Sequence, residues 1–202
     1  KQTLELASCL EKGFIKDNIP GTCVISDVPR KDAIMLPSFE EVSTDKEAYA
    51  RASMIEYEEQ DPIRGHVLCQ QHGNKYLIQN IPAMPLSRRE LDKTYSLPFT
   101  REYHPSYKAL GGIPALEEVK FSITSSRGCF GSCSFCALTM HQGRIVQSRS
   151  EASILTEAKK MTFDPEFKGY IHDVGGPTAN FRYPACEKQL KEGTCKAREC
   201  LY

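Results

Sequence analysis

The chain has 202 residues, 40% of them hydrophobic, enough to bury one sizeable core or two small ones joined by a linker; this composition marks a globular rather than a disordered chain. Lysine and arginine together number 26, as do aspartate and glutamate, so the formal charge is zero and there is no clear footprint for nucleic acid. No apolar run approaches the roughly 18 residues of a membrane span, and no charged start leads into an apolar stretch as in a signal peptide, so the expectation is a soluble, cytoplasmic protein without a membrane partner. The chain starts on Lys1 and stops just after a cysteine with no finished element, which reads as an excised fragment.

The first elements alternate as α+β material. Leu4, Ala7, Leu10 and Phe14 keep helical spacing, and Gly21 to Val28 reads as entry to a strand. Thr44 with Glu47 makes a capping box ahead of a helix carrying Tyr49, Ala52 and Ile55. The acidic run Glu56, Glu58, Glu59 and Asp61 reads as a solvated helix end. From His66 to Gln79, apolar runs on either side of HGN predict a β-hairpin. A second capping box, Ser87 with Glu90, opens a short helix through Leu91 to Tyr95. Prolines and paired glycines between Leu97 and Pro114 break any period, so this stretch reads as a linker or ordered loop, with a domain boundary near Pro114.

Beyond Pro114 the pattern sharpens. Val119, Phe121 and Ile123 alternate as a strand, and the loop SSRGCFGSCSFC follows at once. A helix begins near Ser148, capped with Glu151, with Ile154, Leu155, Ala158 and Met161 on one face. Tyr170 to Val174 forms a second strand that ends in Gly175, Gly176 and Pro177. Strand, helix, strand is a βαβ unit with parallel strands, and ligands of such units sit at the C-terminal strand ends, where both the cysteine loop and the glycine turn fall.

Nine cysteines are many for a chain of this kind, and an odd number does not close into disulfides. Cys129, Cys133 and Cys136 form a C-x3-C-x2-C set with Gly128 and Gly131 alongside, the arrangement by which a tight loop offers three thiolates to an iron-sulfur cubane. A cubane has four irons, so if no fourth protein ligand joins, one iron keeps an open site, the mark of a catalytic metal centre. The same three positions would share a helix face, but the glycines and serines make that helix poor. A structural zinc module mediating protein contacts is the rival reading, although zinc knuckles favour paired C-x2-C spacing. Cys186, Cys195 and Cys200 leave two readings open, a second metal centre completed from beyond Tyr202 or unliganded thiols. Cys9, Cys23 and Cys69 read as ordinary core or surface thiols, His141, Gly143 and Arg144 receive no assigned chemistry, and His172 and Asp173, at the end of the second strand, either point towards the site at the strand ends or cap the strand.

Cys129, Cys133, Phe135 and Cys136 match the C-x3-C-x-aromatic-C signature of the radical S-adenosylmethionine (SAM) superfamily. With REYHPSY upstream, SSRGCFGSCSFCALTMHQGRIVQSRSEASI around the cysteines and DVGGPTANF downstream, the chain from Leu86 onward closely resembles the YgiQ family of radical SAM proteins. The resemblance implies an α/β fold: residues 115–202 would form the first βαβ units of a partial (β/α)6 barrel, preceded by a small α+β region over 1–114 with a linker from about 97. It also implies a 4Fe-4S cluster held by Cys129, Cys133 and Cys136, whose fourth iron is chelated by the amino and carboxylate groups of SAM. Reduction by a donor such as flavodoxin or ferredoxin would cleave SAM to methionine and a 5'-deoxyadenosyl radical, which abstracts hydrogen from an unknown substrate. Phe135 would lie near the adenine, and Gly175, Gly176 and Pro177 would meet the methionyl end, with Pro177 standing where many relatives carry glutamate. The isolated fragment is expected to have weak or no activity.

Overall fold

A computed structural model describes residues 1–176, 179–195 and 200. The architecture is mixed α/β with small sheets, and the chain divides into two compact units: Lys1–Pro85 joined by the segment from Cys186 onward, and Leu86–Ala185.

The first unit opens with α1 (Gln2–Glu11), a helix as its spacing predicts, although only Cys9 on it is buried and Leu4 and Leu10 stay exposed. Strand β1 (Cys23–Ser26) and the two-residue β2 (Ile34–Met35) follow, then α2 (Phe39–Thr44) and α3 (Lys46–Glu59). The predicted capping box is displaced. Ser38 and Glu41 make the reciprocal pair at the start of α2, while Thr44 is the last residue of α2, and Asp45 caps α3 by accepting the Glu47 N–H. The buried stripe of α3 is Ala48 and Ala52 rather than Tyr49, which is exposed. Glu59 and Asp61, read as solvated from sequence, are both buried.

The hairpin forms as expected from β3 (Leu68–His72) and β4 (Lys75–Gln79) around Gly73. One sheet results, in the order β1-β4-β3-β2, antiparallel except for the β2–β3 pair. Its core is Val67, Cys69 and Ile78, with Val24, Ala33 and Tyr76 packed against them. Cys69 is thus a core thiol.

The second unit begins with α4 (Arg88–Tyr95), where the predicted Ser87–Glu90 box is present with both reciprocal bonds. The stretch from Leu97 to Pro114 lies inside this unit, as does the expected boundary at Pro114, and it contains a 3-10 helix, Pro105–Leu110. Helix α5 (Ala115–Val119) takes Val119 out of the predicted strand, which is shortened to β5 (Ser122–Thr124). Strands β6 (Ser126–Arg127) and β7 (Gln147–Ser148) pair antiparallel, with the cysteine loop and α6 (Leu138–Gln142) between them. Ser148 therefore belongs to a strand, and α7 (Glu151–Met161) is capped by Ser150, whose hydroxyl accepts the Ser153 N–H.

Strand β8 (Asp173–Gly175) pairs in parallel with β5, which establishes the strand–helix–strand unit. Its core joins Phe121, Ile123 and Met161 with Ile154, Ala158, Phe167 and Ile171, and Phe121 meets Phe167 edge-on. Each of the three buried side chains contributes about 1.5–3 kcal/mol through loss of apolar surface from water. Helix α8 (Glu187–Glu192) belongs to the first unit. No helix among the described residues is long and apolar enough to cross a membrane.

Candidate metal-binding loop and glycine turn

The cysteine loop leaves β6 through Gly128, whose φ of +88° lies in the left-handed region and whose missing Cβ would stand 2.4 Å from the Ile145 carbonyl oxygen. Only glycine lets the chain turn there. The Gly128 N–H donates to Gln142 Oε1 at 3.1 Å, the Cys129 N–H to the Gly143 carbonyl at 3.0 Å, and Thr139 Oγ1 to the Cys129 carbonyl at 3.3 Å. The first cysteine is therefore held by its backbone against α6 and the turn after it, and its side chain is buried.

The other two thiols are less enclosed: Cys133 is exposed and Cys136 half-buried. The Cys136 N–H closes a turn onto the Cys133 carbonyl at 3.0 Å, and Ser132 adopts a left-handed φ of +51°. The Gly131 N–H points at Cys129 Sγ, 3.4 Å away. Phe135 is 91% exposed, so it does not seal the loop. All three cysteines are free thiols.

Among the described residues no three His, Cys, Asp or Glu side chains gather closely enough to hold a metal ion, so the three sulfurs share a loop without converging on a point. The chemistry of the donor set still suits an iron-sulfur cluster. Thiolates are soft ligands, and an amide N–H directed at a ligand sulfur is one of the features that sets a cluster's potential. The Ser132 hydroxyl oxygen is also buried without a protein partner in the same loop.

At the end of β8, the Gly175 carbonyl accepts the Ser125 N–H at 2.8 Å, and the Gly176 N–H donates to Asn180 Oδ1 at 2.7 Å. A Cβ on Gly176 would stand 2.7 Å from Ser126 Oγ, so the glycine turn lies against the strand that feeds the cysteine loop. The structure thus brings Gly175 and Gly176 beside that strand. Pro177 lies outside the described residues. His172 Nδ1 lies 3.0 Å from the Glu118 carbonyl oxygen. Arg144 is buried. In the first unit Cys186 is exposed and Cys195 and Cys200 are half-buried, and among the described residues they join no metal-holding group.

Several contributors were not singled out from sequence. Gln142 and Thr139 anchor Gly128 and Cys129, and Asn180 and Phe181 reach the turn and the loop. Asn180 and Phe181 end the DVGGPTANF run, which was the available signal. A cleft of about 560 Å³, lined in part by Tyr95, Phe99, Thr156 and Lys160, shares no residue with either the loop or the turn.

Residues 1–122 match the radical SAM N-terminal family. The chain belongs to that family. The match covers the residues before the cysteine loop, the part read from sequence only as an α+β region. Relatives named UPF0313 protein, the YgiQ-type radical SAM family, align with the whole chain: one from Clostridium perfringens is 58% identical and one from Clostridium botulinum is 56% identical. The chain spans 31% of the length of the first and 32% of the second. No solved structure matches the chain.

Proposed function

We propose that this chain supplies the cluster-binding segment of a radical SAM enzyme, with Cys129, Cys133 and Cys136 as thiolate ligands of a 4Fe-4S cluster. The observation that carries the reading is that a three-cysteine loop leaves β6, directly after β5, and that the glycine turn at the end of β8, the parallel partner of β5, lies against β6, within a member of this family. When bound, the cluster supplies one electron that cleaves SAM reductively to methionine and a 5'-deoxyadenosyl radical.

This chain's own residues bind and orient. The three thiolates would hold the cluster, and Gly175 and Gly176, which carry no side chains of their own, would lie beside the methionyl end of SAM. Phe135, being exposed, is available to cover the adenine once SAM is seated. The strand–helix–strand unit extends into a partial (β/α)6 barrel in the full-length protein. The protein acts in the cytoplasm, draws its electron from a flavodoxin or ferredoxin and takes its substrate through parts of the full-length chain.

The test is anaerobic reconstitution of the full-length protein with iron and sulfide. The expected result is a brown protein whose visible absorption and spin resonance respond to SAM, and whose iron content is lost in a Cys133→Ala variant. Tight stoichiometric zinc with no assembled cluster would replace this reading with a structural zinc module.

A further inference from the structure

We propose that Asn180, Phe181 and Arg182 form a strap that fixes the glycine turn against the cysteine loop, making Asn180 a positioning residue for the aminoacyl end of the ligand shared by turn and loop. The proposal rests on the radical SAM reading and adds residues to it.

Three consecutive residues make three separate anchors. Asn180 Oδ1 accepts the Gly176 N–H at 2.7 Å. The Phe181 ring stacks on Phe130 with centroids 4.0 Å apart and planes 12° from parallel. The Arg182 carbonyl accepts a hydrogen bond from Ser148 Oγ at 2.6 Å. Each anchor reaches a different part of the same neighbourhood: Gly176 is the turn, Phe130 sits next to Cys129, and Ser148 pairs across β7 and β6 with Ser126.

The backbone of the strap is itself suited to the task. Asn180 has a φ of +50°, a left-handed value that asparagine tolerates better than most residues. Its side chain is then turned back onto the glycine pair, so close that a Cβ on Gly175 would stand 2.3 Å from Asn180 Oδ1. On the opposite side, the Gly175 carbonyl is taken by the Ser125 N–H. The turn is thus held from both sides before any ligand arrives, and a ligand that bridges turn and loop meets groups whose ordering cost has already been met.

Stacking and hydrogen bonding of this kind also occur as plain structural support, so the test separates ligand binding from cluster assembly. In the full-length protein, reconstituted anaerobically, Asn180→Gly keeps the left-handed backbone and removes the acceptor, while Phe181→Leu removes the stack. Iron and sulfide per chain, SAM affinity, and the change SAM induces in the spin resonance of the reduced cluster are measured for both and for the parent. The expected result is unchanged iron and sulfide with SAM affinity lowered roughly three- to tenfold in each variant, the range of one lost hydrogen bond. SAM affinity equal to the parent's in Asn180→Gly would overturn the proposal. A loss of iron in step with the loss of SAM binding would also overturn it, since the strap would then support the loop alone. A parent protein that assembles no cluster defeats the functional reading as well, whereas a SAM-responsive parent with an indifferent Asn180→Gly variant defeats only the strap.

Discussion

Arg149 retains 1% of its surface and is nevertheless fully engaged. Its guanidinium pairs with Glu157 at 2.5 Å, donates to the Thr124 carbonyl at 2.9 Å and to Ser153, and lies 4.3 Å from the centre of the Tyr95 ring. Glu157 is shared with Arg101, so one carboxylate serves two guanidinium groups. Replacing Arg149 by alanine leaves Glu157 short of a partner and opens a void between β5 and α7, and should lower unfolding stability by about 3–5 kcal/mol in denaturant titrations. A loss below about 1 kcal/mol would mean the cluster is solvated rather than closed. None of this was legible in the polar run QSRSEAS. The partners of Arg149 come from sequence positions too far apart for any local pattern to join. The cysteines were legible because all three lie within one short loop, where spacing alone displays them.

At the scale of elements, local chemistry was readable where it was self-contained. The Ser87–Glu90 box places α4 correctly because both partners lie within one turn of chain. The Thr44–Glu47 pair had the same spelling, but Ser38 starts an earlier helix that absorbs Thr44, whose hydroxyl donates back to the Glu40 carbonyl. Two serines compete in the same way before α7, and pairing of Ser148 with Ser126 decides in favour of Ser150. Val119 keeps strand alternation with Phe121 and Ile123, yet the helix running from Ala115 extends through it and leaves it exposed. The turn out of β6 yields a sharp prediction. Gly128→Ala forces a side chain into a left-handed backbone and onto the Ile145 carbonyl, which should cost about 1–3 kcal/mol. It should also reduce the iron retained per chain after reconstitution, and full iron retention with unchanged stability would show that the loop tolerates another path.

At the scale of the whole molecule, the organising fact is that the first unit is discontinuous in sequence, a division that composition around Leu97–Pro114 did not reveal. The join is made by Asp61, which is buried and accepts the Thr194 N–H at 2.6 Å and the Thr194 hydroxyl at 2.7 Å, together with the N–H groups of Ile63 and Arg64. Burial pushes its carboxyl up, but these donors outweigh burial and hold it below the ordinary carboxylate range. An acid depressed in the folded state stabilises fully above its unfolded value of about 3.9 and loses that contribution as pH falls through the lower folded value. The Thr194 amide should accordingly stay protected from exchange at neutral pH and lose protection below about pH 4. Asp61→Asn should lower stability at neutral pH by about 1–3 kcal/mol and flatten that acid dependence. An unaltered acid profile in the variant would assign the dependence to other carboxyls.

The Asp61–Thr194 join also sets a schedule for synthesis. The two residues are 133 positions apart, and at about 5–20 residues per second a ribosome needs on the order of ten seconds between making the acceptor and making its donor. During that interval the nascent chain carries an Asp61 without its Thr194 donors, while the intervening residues 86–185 emerge together with the contacts they make among themselves. Pulse-labelled translation should therefore find the later-made unit resistant to protease before the earlier one.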